Sequence, residues 1–108
     1  MAVSNDFIEY ILDQFSEWDD VNVRRMFGGA GLFRDGKMFG LVADNVAYLK
    51  VDKTNRNKYL AAGSAPLKPF PNRATMLSFF EIPPDILESR EELIGWAEES
   101  LSIQKKGK

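Results

Sequence analysis

Residues 31–51 read GLFRDGKMFGLVADNVAYLKV. Two dipeptides divide this stretch. Asp35-Gly36 lies between Leu32-Phe33-Arg34 and Lys37-Met38-Phe39, and Asp44-Asn45 lies between Leu41-Val42-Ala43 and Val46-Ala47-Tyr48-Leu49. Asp, Asn and Gly tolerate the positive φ that a two-residue hairpin turn needs at both central positions. The stretch therefore predicts antiparallel strands joined by tight turns. Two-residue loops place Phe33 opposite Met38, Leu32 opposite Phe39, Val42 opposite Ala47 and Leu41 opposite Tyr48.

Side chains alternate between the faces of a strand, so this register sorts them. One predicted face holds Phe33, Met38, Val42, Ala47, Leu49 and Val51, with Gly31 and Gly40. It is wholly apolar and is expected to meet helices. The other holds Leu32, Arg34, Lys37, Phe39, Leu41, Tyr48 and Lys50. Phe39, Leu41 and Tyr48 together exceed what a solvated face needs. They are expected to be covered by the loop over residues 64–74 (through Leu67 and Phe70) or by another chain. That leaves a monomer and a homodimer both open.

Working outward, Ser4 is a good N-cap and Asp6 suits the first turn of a helix. Phe7, Ile8, Ile11, Leu12, Phe15 and Trp18 recur at helical spacing, and Asp19-Asp20 closes that helix. On the other side, Asp52 is expected to cap a short helix with Tyr59 and Leu60 on its apolar side and Gly63 as its stop. Pro66, Pro69 and Pro71 mark an extended loop. Residues 76–82 read as one more strand, ended by Pro83-Pro84. Ser89-Arg90-Glu91-Glu92 is a capping-box pattern before Leu93, Trp96, Ala97 and Leu101. The tail over about 102–108 is expected to fray. The fold class is thus α+β: a single domain, its antiparallel meander packed against N- and C-terminal helices.

Composition narrows the chemistry. The 108 residues include no Cys and no His, with 14 Lys and Arg against 16 Asp and Glu. That length fits one domain with one core. Without Cys or His there is no thiolate nucleophile, no imidazole base and no Cys- or His-ligated metal. A general base would have to be Asp, Glu, Lys or Tyr. The acid pairs Asp13/Glu17 and Glu88/Glu92 have helical spacing but fit a solvent face better. No catalytic, cofactor or metal site is expected, and the chain reads as a non-enzyme. No stretch matches a membrane span or a secretory leader, so the expected location is cytoplasmic.

Charge is uneven. From Lys53 to Arg73 run five basic residues (Lys53, Arg56, Lys58, Lys68, Arg73) and no acid. This segment reads either as a solvated face or as a surface for phosphates or an acidic partner. Arg24-Arg25 adds two cations whose side chains a strand sends to opposite faces. Ion pairing and phosphate contact are both open for them. Phe27-Gly28-Gly29-Ala30-Gly31 is not a nucleotide loop. Arg34 stands where a third glycine would be, and a strand rather than a helix follows. Gly28, Gly29 and Gly31, like Asp35-Gly36, read instead as turn or bulge positions with room for close packing.

The run from Val23 to Phe33, then Asp35-Gly36-Lys37-Met38-Phe39, resembles the N-terminal domain of the TfoX/Sxy family. So do Tyr48 to Asp52, Ser78 to Pro83, and Leu87 to Ala97. The resemblance spans nearly the whole chain in order, and covers the first of the two domains of full-length members. It implies an α+β unit without catalytic residues or cofactor, related to small wing-like domains. It also implies a regulatory role in bacterial DNA-uptake (competence) genes, exerted with the transcription machinery or the cyclic-AMP receptor protein. The preferred expectation is a non-enzymatic interaction module. The alternative is weak nucleic-acid binding through the basic 53–73 segment, and a small-molecule binder or enzyme comes third.

Overall fold

A computed structural model describes residues 4–26, 29–66 and 79–106. In chain order the elements are α1 (Asn5–Gln14), β1 (Asn22–Met26), β2 (Gly29–Arg34), β3 (Lys37–Ala43) and β4 (Val46–Lys50). They continue with α2 (Arg56–Ala61), β5 (Phe79–Glu81), α3 (Pro84–Leu87) and α4 (Arg90–Lys106). The five strands form one antiparallel meander in sequence order. The fold is α+β, as expected.

Both hairpin turns form as the dipeptides predict. Asp35 and Gly36 have φ of 56° and 74°, and Asp44 and Asn45 have 57° and 59°. The β3–β4 register is the expected one, with Val42 opposite Ala47 and Leu41 opposite Tyr48. The β2–β3 register starts as expected, with Arg34 opposite Lys37 and Phe33 opposite Met38. It then slips. Leu32 pairs with Gly40, and Phe39 is an extra residue in a β-bulge.

That one residue overturns the predicted faces. Leu32 and Phe39 are both fully buried in the core, not on the second face. Phe33 and Met38 are half-buried on the side away from it. The reason is packing. Phe39 meets Phe15 edge-on at 5.5 Å and Trp18 at 5.2 Å between ring centroids. Burying a Phe side chain is worth about 1.5–3 kcal/mol, more than the roughly 1 kcal/mol of one ladder hydrogen bond. Gly40 completes the bulge, because a Cβ there would lie 3.3 Å from Leu32 Cδ1 and 2.6 Å from the Tyr48 carbonyl oxygen. The core joins Leu32, Phe39, Val42, Leu49 and Phe80 of the sheet to Ile11, Tyr59, Leu93 and Ala97 of the helices and to Phe15 just after α1.

Several local expectations change. Ser4 Oγ accepts from the Phe7 amide at 3.1 Å, as a cap should. However, α1 ends at Gln14, and Phe15 and Trp18 reach the core through tight turns. Asp52 does not cap α2. Its carboxylate accepts from the Thr54 amide at 2.8 Å, in a turn ahead of the helix, and Asn55 takes the N-cap position without capping the helix, its Oδ1 accepting instead from the Asp52 amide at 2.9 Å. Tyr59 is buried as expected, but Leu60 is 53% exposed. Pro83-Pro84 ends β5 and also starts α3, since Pro at N1 loses no helical bond. Ser89 Oγ accepts from the Glu92 amide at 3.4 Å, while its own amide donates to Ile86 O at 3.1 Å rather than to Glu92. α4 stays helical to Lys106, past the expected start of the frayed tail.

Among the glycines, Gly29 and Gly31 lie within β2 rather than in a turn. Gly29 is required by close approach: a Cβ there would stand 2.3 Å from Val42 O. Gly28 lies outside the described residues, as do Leu67, Lys68, Pro69, Phe70, Pro71, Arg73 and residues 76–78 of the predicted strand.

Candidate interaction surface

The helices pack on one face of the sheet, so the opposite face is where the chain presents strand side chains. Register fixes its central row: Arg24, Gly31, Leu41, Tyr48 and Glu81 lie side by side across the five strands. Phe33 and Met38 form a second pair and Lys50 and Phe79 a third. Leu41, Tyr48, Phe33 and Met38 are all half-buried. Leu41 and Tyr48 therefore stay on the face expected of them, and Phe39 leaves it. Burial, with Glu81 and Asp44 nearby, pushes the Tyr48 hydroxyl above its ordinary pKa. Tyr48 stays a neutral hydrogen-bonding group on this face.

Arg24 and Arg25 point to opposite faces, and both are exposed. The Arg24 guanidinium stacks on Phe33, 4.8 Å from the ring centroid. Arg25 donates from Nη2 to Asn5 Oδ1 on the helix side. Lys50 stands 5.4 Å from the Phe79 ring centroid on the outer face. The outer face thus combines two cations, each seated on an aromatic ring, with an apolar row and one acid.

The basic 53–73 segment is not brought together as a patch. Lys58 pairs with Glu99 and sits 4.3 Å over the Trp96 ring, which fastens α2 to α4. Lys53 and Arg56 are exposed. Lys68 and Arg73 lie outside the described residues. Arg34, expected on the second sheet face, is likewise spent on packing. It lies 4.6 Å over Trp18, and its Nε donates to Asp19 O at 2.7 Å. Arg90 does the same at the α1–α4 junction. It donates to Asp13 Oδ2 at 2.6 Å, and Gln14 Nε2 donates to Leu87 O at 2.8 Å.

Two grooves open on the helical side. One, of about 600 Å³, lies between α2, α3 and α4 and is lined by Lys58, Pro83, Asp85, Ile86 and Trp96. The other, of about 320 Å³, is lined by Trp18, Arg34 and Glu98. Neither gathers converging polar groups around an enclosed volume. Among the described residues, no cluster of three or more carboxylates is placed to hold a metal ion. No described helix is long and apolar enough to cross a membrane.

The family model described as the TfoX N-terminal domain matches residues 13–103. No curated protein matches the chain.

Proposed function

The chain belongs to the TfoX N-terminal domain family, and on that footing we propose that it is a non-enzymatic interaction module in the regulation of bacterial DNA-uptake genes. The observation that supports this most is the outer sheet face. Leu41, Tyr48, Phe33 and Met38 form an apolar surface rimmed by Arg24 and Lys50, opposite every described helix. Such a surface suits a protein partner better than a phosphate backbone, which needs a concentration of cations. The family resemblance makes the cyclic-AMP receptor protein the first partner to try, in the cytoplasm.

Biolayer interferometry with immobilised protein tests this, using purified cyclic-AMP receptor protein with and without DNA of an uptake-gene promoter. Saturable binding to the receptor protein, lost in a folded Leu41→Glu variant, supports the proposal. Binding to DNA alone at low salt, reduced when Lys53 and Arg56 are neutralised, replaces it with the nucleic-acid reading. That second reading rests on the exposure of Lys53 and Arg56. Turnover abolished by a single Asp or Glu substitution would overturn the non-enzymatic assignment.

A further inference from the structure

The sheet treats its two edges differently. β5 is three residues long, and its outer side is occupied. Pro66 bridges to Phe80, the Glu81 amide donates to Ala65 O at 3.0 Å, and Ser64 Oγ donates to Glu81 O at 2.5 Å. β1 is five residues long and, among the described residues, pairs only with β2. It has no proline and no bulge. An edge strand offers a row of backbone donors and acceptors to any extended chain, unless short length, proline, a bulge or charge blunts it. On β1 only charge is present, and charge selects as well as repels.

We propose that the open side of β1 is a docking edge for an extended acidic segment of a partner protein, added as a sixth strand. Arg24 reaches over the outer face and Arg25 over the helix face, and both are exposed. A strand laid beside β1 sends its own successive side chains to those same two faces. Two consecutive acids in it therefore meet one arginine on each side, while the backbone bonds set the register. A second copy of this chain is the poorer occupant, because β1 against β1 brings Arg24 and Arg25 towards their own copies. The proposal rests on reading the chain as an interaction module, and names the element and the chemistry of its partner.

The probe is the peptide Ac-TVEEVT-amide. Its controls are Ac-TVKKVT-amide, which reverses the charge, and Ac-TPEEPT-amide, which keeps the charge but removes backbone donors. Two added ion pairs predict binding about tenfold tighter for the acidic peptide than for the lysine peptide, weakening with salt. Amide hydrogen exchange should slow at residues 22–26. An R24E/R25E variant with unchanged circular dichroism should prefer the lysine peptide. Equal binding of the proline peptide, protection elsewhere, or no charge preference would overturn the proposal. So would a concentration-dependent dimer with protected β1 amides, which would make the second copy the occupant. Failure here is separable from failure of the regulatory reading. If the receptor protein binds while the peptides show no charge preference, the edge is wrong and the module stands. If the peptides behave as stated and no promoter complex forms, the edge stands and the regulatory reading falls.

Discussion

The two hairpins begin alike and finish differently. Each turns on two residues with positive φ, and each pairs its first two positions in register. The β3–β4 hairpin keeps that register to Leu41 and Tyr48, whereas the β2–β3 hairpin abandons it at Phe39. A turn sets where pairing starts. What the strand must bury decides where pairing goes. Ala47 and Leu49 alternate inward without help. Met38-Phe39-Gly40 does not, because the aromatic pocket formed by Phe15 and Trp18 needs the residue that strict alternation sends out.

Breaking that pocket should give the largest effect. Phe39→Ala removes a fully buried ring with two edge-on aromatic partners, and should cost about 3–5 kcal/mol in a urea melt. Leu41→Ala, on the regular hairpin's half-buried outer side, should cost under about 2 kcal/mol. Equal losses would mean that the bulge does not serve Phe39.

Next come the positions where a side chain cannot fit. Gly40→Ala directs a Cβ at the Tyr48 carbonyl, which cannot move without the β3–β4 ladder. It should cost roughly 1–3 kcal/mol. Gly36→Ala meets no atom within 4 Å but keeps φ near +74°, so its cost is conformational alone, about 1–2 kcal/mol. A larger loss at Gly36 than at Gly40 would place the constraint in the turn rather than in the ladder.

The contrast also shows what the sequence disclosed. The first, second and last helices, the turns and the meander are legible, because Ser4, Asp35-Gly36, Asp44-Asn45 and Ser89 act through local backbone chemistry, whereas α3 is not, because Pro83-Pro84 reads only as a strand end. The faces of β2 are not legible either. Phe39 carries no local sign of a bulge except the glycine beside it, and the pocket that claims it is built by residues more than twenty positions away. The cations misled for a related reason. Lys58 reads as a solvated charge until Glu99 and Trp96 are known to lie beneath it. Asp52 was placed one element too far along, since an Asx turn and a helix cap use the same carboxylate chemistry. Arg24 and Arg25 were correctly sent to opposite faces, because alternation holds in β1. That β1 is an edge strand, pairing among the described residues only with β2, follows only from the topology.

The smallest effect at neutral pH separates the two faces by their tyrosines. Tyr59 is fully buried, with its ring 4.7 Å from Trp96 and 5.8 Å from Phe80, and among the described residues its hydroxyl has no hydrogen-bond partner. Ser100 lies near it, but Ser100 Oγ donates to Lys50 O at 2.7 Å. Removing an unsatisfied buried hydroxyl while keeping the ring should be neutral or slightly stabilising, so Tyr59→Phe should lie within about 1 kcal/mol of wild type at pH 7. Alkaline pH should then reveal the hydroxyl. Burial raises the Tyr59 pKa well above its ordinary 10.0. In the unfolded chain the proton leaves near pH 10, while the folded chain still holds it. The unfolded state therefore binds fewer protons there, and stability falls as pH rises. The contribution is fully present below pH 10 and is lost at up to about 1.4 kcal/mol per pH unit above it. Tyr48, half-buried on the outer face and raised in the same direction by burial, Glu81 and Asp44, should add a smaller slope of the same sign. Urea melts from pH 8 to pH 11 should show the steep part of the decline disappearing in Tyr59→Phe and the shallow part in Tyr48→Phe. If Tyr48→Phe removes the larger part, the outer face is the more desolvated of the two, and something in solution covers it.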